Sequence, residues 1–146
     1  MGIMRRHLWL LVASFVTLSA NLFAQPVFTD ILPPEEFAAR RAKVMAQIGD
    51  GVAILLGATE RPGEQPLRQS NQFHYLCGVV EPRAILVIDG KTKRTTLFLN
   101  PRNERREQSA FGPGLYPGAA AAAETGIDAV VPREEIAQLL VQELQD

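Results

Sequence analysis

The sequence predicts an α/β domain, and three observations carry that prediction. Residues 35–48 and 132–144 place apolar side chains at helical spacing. Between them, residues 52–56, 84–88 and 95–99 are short apolar runs bounded by Gly, Pro and Asp, as strands are. With 47% apolar residues in 146, the chain has the material for one buried core and is neither disordered nor fibrous.

Taken in order, residues 1–24 read as a secretory signal peptide. Arg5 and Arg6 supply a positive start, residues 8–20 are an uncharged and mostly apolar run, and Ala24 ends the segment on a small residue. Leu22 fits the cleavage pattern imperfectly. Spanning a bilayer takes about 20 apolar residues, so the run is too short for an anchor, and export to the periplasm or outside the cell is the expectation. Residues 25–34 form an extended leader. Pro33 and Pro34 then open a helix with Glu35 and Glu36 at its positive end. Phe37, Val44, Met45 and Ile48 share a face, and Gly49-Asp50-Gly51 stops the helix. Arg40 and Arg41 lie mid-helix, one of them expected on the solvated side.

The unbroken apolar run at 52–56 predicts a strand covered on both faces. Residues 59–72 form a long polar loop, a length that is often functional. The stretch Arg68-Gln-Ser-Asn-Gln-Phe-His-Tyr-Leu-Cys-Gly78 follows, where Phe73, Tyr75 and Cys77 alternate with His74 and Leu76. That alternation predicts a short strand, with Tyr75 in the core and its hydroxyl at the edge. Glu81 before Pro82 is expected to fix a turn and not to act as an acid or base. Asp89-Gly90 begins a hairpin loop between two further strands. Residues 101–108 read as a solvated turn or short helix, and 111–118 as a rigid loop whose glycines fit no phosphate-binding spacing. Residues 119–123 form a short helix capped at Gly126, and 129–131 a brief strand. Pro132 opens a last helix with Ile136, Leu139, Leu140 and Leu144 on one face. No element follows that face before Asp146, so the domain is expected to be incomplete.

The chemistry on offer is sparse. A formal net charge of −1 with no basic stripe excludes a nucleic-acid partner. Cys77 is the sole cysteine, so no intramolecular disulfide can form, and it reads as a small buried hydrophobe. Beyond the leader the one histidine is His74, and Asp30, Asp50, Asp89, Asp128 and Asp146 are scattered. There is no H-E-x-x-H, D-x-D or C-x-x-C motif, and no G-x-S-x-G elbow at Ser70 or Ser109. Neither a local metal site, a bound cofactor nor an autonomous catalytic triad is expected.

The motif from Arg68 to Gly78, followed by Glu81-Pro82, resembles the signature of the N-terminal domain of the Xaa-Pro aminopeptidases (aminopeptidase P) of the prolidase and creatinase superfamily. Glu36-Phe37-Ala-Ala-Arg40-Arg41, Val52-Ala-Ile-Leu-Leu-Gly57-Ala58, Thr96-Leu-Phe-Leu-Asn-Pro101 and Thr125-Gly126-Ile127-Asp128 continue the match in family order. The resemblance implies a mixed β-sheet flanked by helices over residues 35–146. It also implies a separate "pita-bread" catalytic domain, absent here, that holds two divalent metal ions, typically manganese, and cleaves before proline. This segment would then assemble homo-oligomers and lend side chains to the rim of a neighbouring active site. Arg68, His74 and Tyr75 are the candidate rim residues, and no catalytic or metal residue is expected. His74 stands where relatives often have Trp, and the arginine usual near residues 107–118 is missing. Two other classes are a free-standing exported binding module and, more remotely, a small hydrolase using His74.

Overall fold

The computed structural model describes residues 32–60, 67–107 and 114–143. The expected signal peptide lies outside these residues, as do Ser109, Phe111 and Gly112 of the rigid loop. The first helix, α1, spans Pro34–Ile48, with proline at its first position and Glu35 and Glu36 in its first turn. Strand β1 (Val52–Leu56) follows, then helix α2 (Asn71–Cys77) and the hairpin strands β2 (Ile85–Asp89) and β3 (Arg94–Leu99). Two short helices, α3 (Glu104–Glu107) and α4 (Ala119–Thr125), lead to β4 (Ala129–Pro132). A 3₁₀ turn at Arg133–Glu135 enters the last helix, α5 (Ile136–Glu143).

The four strands form one sheet in the order β1-β2-β3-β4. β1 and β3 both run antiparallel to β2, whereas β4 runs parallel to β3, so the sheet is mixed. The β2–β3 hairpin turns where Asp89-Gly90 predicts it. The Asp89 carboxylate accepts from the Lys91 and Thr92 amides at 2.8 and 3.1 Å and from the Thr92 hydroxyl. Lys93 closes the turn in the left-handed region at φ 58°.

Strand alternation sends two apolar sets to opposite faces. Leu86, Ile88, Leu97, Leu99 and Val130 enter the main core with Met45 of α1, Phe73, Leu76 and Cys77 of α2, and Ala121 of α4. Ile85, Val87 and Phe98 face the other way, against Val131 and, from α5, Ile136 and Leu139. Helices therefore flank both faces. β1 departs from expectation. Among the described residues it is an edge strand, not one covered on both sides, and Val52, Ile54 and Leu56 are exposed. Continuous apolarity alone cannot separate a central strand from an edge strand.

Candidate functional site

The motif predicted as a strand at 73–77 is helix α2. Phe73, Leu76 and Cys77 fall at i, i+3 and i+4, which gathers them on one buried face. The same winding turns Tyr75 away from the core, so the expected core tyrosine is 55% exposed. Seven residues hold too little pattern to separate a period of 2 from one of 3.6, and packing against α1 decides it. Gly78 ends α2 in the left-handed conformation at φ 68°, its amide donating to the His74 carbonyl at 2.8 Å. Only glycine fits there. A Cβ at this position would lie 2.6 Å from the Phe37 ring.

Two adjacent arginines of α1 fasten α2 in different ways. The Arg40 guanidinium lies 4.4 Å above the Tyr75 ring centroid, donates to the Tyr75 carbonyl at 3.1 Å, and pairs with Glu36 at 3.0 Å. This is a surface cation–π stack with an ion pair behind it. Arg41 is only 3% exposed. Its Nη1 donates to the Leu76 carbonyl at 3.1 Å and its Nη2 to the Gly126 carbonyl at 2.6 Å. One guanidinium fork thus caps the C-terminal ends of both α2 and α4, where helix carbonyls lack partners and the dipole favours a cation. Burial lowers the Arg41 pKa from its ordinary value. Asp128 is the anion that offsets this at neutral pH, Cys77 then being a neutral thiol. Arg41 is the residue that sequence reasoning underrated. Its signal was present: it sits midway between Phe37 and Met45 at steps of four, on the apolar face.

The loop before α2 is tied down by Gln69. Its side-chain oxygen accepts from the Ala58 amide at 2.6 Å, and its nitrogen donates to the Glu81 carbonyl at 3.0 Å. Glu81 is buried, and its carboxylate accepts from the Leu115 amide at 2.8 Å, which makes it a brace between the turn at Pro82 and the 114–118 segment. Cys77 is fully buried and donates to the Phe73 carbonyl at 3.1 Å. Burial pushes its thiol up to about 12, so it is no nucleophile at neutral pH.

Of the three predicted rim residues, the structure puts His74 and Tyr75 side by side on α2, His74 half-buried and Tyr75 open. Arg68 is exposed on the preceding loop, and among the described residues no hydrogen bond or ion pair engages it. A separate groove is lined by Glu60, Arg83, Asn100, Arg102, Arg105 and Tyr116. Its cations are largely neutralised, Arg83 by Glu60 at 2.9 Å and Arg102 by Glu107 at 3.0 Å. Among the described residues no group of three His, Cys, Asp or Glu side chains could hold a metal, and no helix is long and apolar enough to cross a membrane.

The profile of the family described as "Aminopeptidase P, N-terminal domain" matches residues 37–146. The chain belongs to the aminopeptidase P N-terminal domain family. It is similar to the Xaa-Pro aminopeptidase of Escherichia coli, 32% identical over 115 residues, covering 74% of this chain and 26% of that one. The Xaa-Pro aminopeptidase of Haemophilus influenzae is 35% identical over 79 residues, 49% of this chain and 18% of that one. In three dimensions, Escherichia coli aminopeptidase P with the inhibitor Pro-Leu aligns at a TM-score of 0.66 and 31% identity, over 76% of this chain and 27% of that chain. Proline aminopeptidase P II from Yersinia pestis aligns at 0.61 and 31%, over 73% and 26%. The aminopeptidase P N-terminal domain seen here thus spans between 18% and 27% of these relatives, and the mixed sheet with flanking helices is the fold shared with the two solved structures.

Proposed function

We propose that this chain acts as the N-terminal, non-catalytic domain of an exported Xaa-Pro metalloaminopeptidase, whose parent activity releases an N-terminal residue that precedes proline. The observation that carries the reading is the match of residues 37–146 to the aminopeptidase P N-terminal domain family, together with the likeness to proteins named Xaa-Pro aminopeptidase and the shared fold. The family's hydrolytic centre of two divalent ions, here proposed to be manganese, does not fit the described residues, which bring no donor cluster together. In this reading the hydrolytic step belongs to the catalytic domain. Its proposed work is assembly of homo-oligomers and completion of an active-site rim in a neighbouring catalytic domain.

At that rim, Arg68 would hydrogen-bond the peptide backbone or a carboxylate, and the His74 and Tyr75 rings would stack on or hydrogen-bond the substrate. The exposed Tyr75 ring and the exposed Arg68 side chain are consistent with ligand contact. Export rests on Arg5, Arg6 and the apolar run at 8–20.

The test is recovery of the gene product from its native cell with an antibody to residues 35–130. Its intact mass is then measured, and hydrolysis of an Xaa-Pro peptide is assayed with manganese and after chelation. The expected result is a product several-fold heavier than residues 25–146, with chelator-sensitive activity. A product of that smaller mass without activity overturns the enzyme reading and leaves a free-standing exported binding module.

A further inference from the structure

Helix α2 has seven residues, fewer than the roughly 12–15 at which an isolated helix becomes marginal, so its shape depends on what holds it. Its last carbonyls each find a donor. The Gly78 amide donates to the His74 carbonyl at 2.8 Å, Arg40 to that of Tyr75 at 3.1 Å and Arg41 to that of Leu76 at 3.1 Å. Phe73, Leu76 and Cys77 anchor the buried side, and Arg41 caps the end against the core.

Arg40 does something different. All three of its guanidinium nitrogens are engaged: Nε and Nη2 donate to Glu36 at 3.1 and 3.0 Å, and Nη1 donates to the Tyr75 carbonyl. The guanidinium lies 5.2 Å from the Phe37 ring centroid and 4.4 Å from that of Tyr75. Phe37 is buried, so the cation links a fixed core ring to an exposed one. The Arg40 side chain is 16% exposed, against 55% for Tyr75. The charge is therefore turned inward, and the solvent meets an aromatic ring whose backbone and one face are already held.

We propose that Arg40, braced by Glu36, is a positioning residue: it fixes the Tyr75 ring in advance, so that the ring's outer side receives an apolar group of the peptide substrate. This rests on the rim role proposed above for Tyr75. A ring ordered before the ligand arrives loses less freedom on binding. Arginine suits the task and lysine does not, because only a planar fork can stack on the ring, bond the carbonyl and pair with the carboxylate at once.

The test has two arms. In the full chain, nuclear magnetic resonance reads the clasp: ring currents hold the Arg40 side-chain protons upfield, and Tyr75→Leu moves them downfield. In the gene product recovered as above, Xaa-Pro peptide hydrolysis is measured for Arg40→Met, Arg40→Lys, Tyr75→Leu and the Arg40→Met, Tyr75→Leu double variant, each shown to be folded by circular dichroism. The expected result is a KM raised about three- to tenfold by Tyr75→Leu and somewhat less by Arg40→Met. The kcat stays unchanged, as for binding that is equal in ground and transition states. Arg40→Lys falls between Arg40→Met and the parent. In the double variant, Arg40→Met adds nothing to Tyr75→Leu, since Arg40 acts through that ring. A clasp that serves only the fold lowers the urea midpoint and leaves KM where it was, and that result overturns the proposal. So do a loss confined to kcat, full additivity in the double variant, or Arg40 protons that Tyr75→Leu does not move. A parent product without peptidase activity overturns the aminopeptidase reading and the positioning role together, so the parent's activity tells the two failures apart.

Discussion

Arg41→Met removes the buried fork while retaining most of the aliphatic path that Arg41 fills. Two bonds are lost, to Leu76 and Gly126 at 3.1 and 2.6 Å, each to a helix-terminal carbonyl that cannot reach water easily. A hydrogen bond from a charged donor contributes about 1.5–3 kcal/mol, which sets the gross loss at about 3–6 kcal/mol. Removing a buried cation also removes its desolvation penalty, which offsets part of this. The net expected destabilisation is about 2–4 kcal/mol. With a urea slope of about 1–2 kcal/mol per molar for a domain of this size, the unfolding midpoint falls by about 2 M. Arg41→Lys keeps the charge but cannot bridge both carbonyls, so it falls between Met and the parent. The assay is equilibrium urea unfolding followed by circular dichroism. A Met variant within about 0.5 kcal/mol of the parent, or Lys and Met variants of equal stability, would refute the claim that the fork holds α2 and α4 together.

Gly78→Ala forces a side chain into the left-handed region and onto the Phe37 ring, 2.6 Å from the new Cβ; the expected loss is about 2–4 kcal/mol, read as a fall in Tm. Cys77 in the folded chain resists iodoacetamide at pH 8 and reacts after unfolding in urea; alkylation at the rate of a free thiol in the native state would contradict its burial and its raised pKa of about 12. For Asp89, burial pulls the pKa up, but hydrogen bonds from Thr92 and Lys91 outweigh it and hold the carboxyl below its usual range. A folded pKa below the unfolded value contributes stability that is full above about pH 4 and is lost as the pH falls through the folded value. The stability gap between the parent and Asp89→Asn is therefore widest near neutrality and closes in acid; a gap independent of pH, measured by urea unfolding at pH 7 and pH 3, would count against the assignment.

Legibility in the sequence divides along a physical line. Helix α1, with its tandem prolines and acidic first turn, was readable from residues adjacent in the chain. So were the β2–β3 hairpin at Asp89-Gly90 and the αL cap at Gly126. The motif from Arg68 to Gly78 also placed the chain in its family, although the shape of that motif was misjudged. Alternating Phe73, Tyr75 and Cys77 satisfies a strand over so short a span, and the burial of Leu76 beside Phe73 and Cys77 is what reveals a helix.

By itself, then, the sequence determined the α/β class, most element positions and the family resemblance, because turn chemistry, capping and apolar spacing act over a few neighbouring residues. The tertiary structure decided the winding of α2, the exposure of Tyr75, the edge position of β1 among the described residues and the double cap at Arg41. Arg41 meets carbonyls 35 and 85 residues away. Contacts at such separations depend on where whole elements pack, and local pattern carries no record of that.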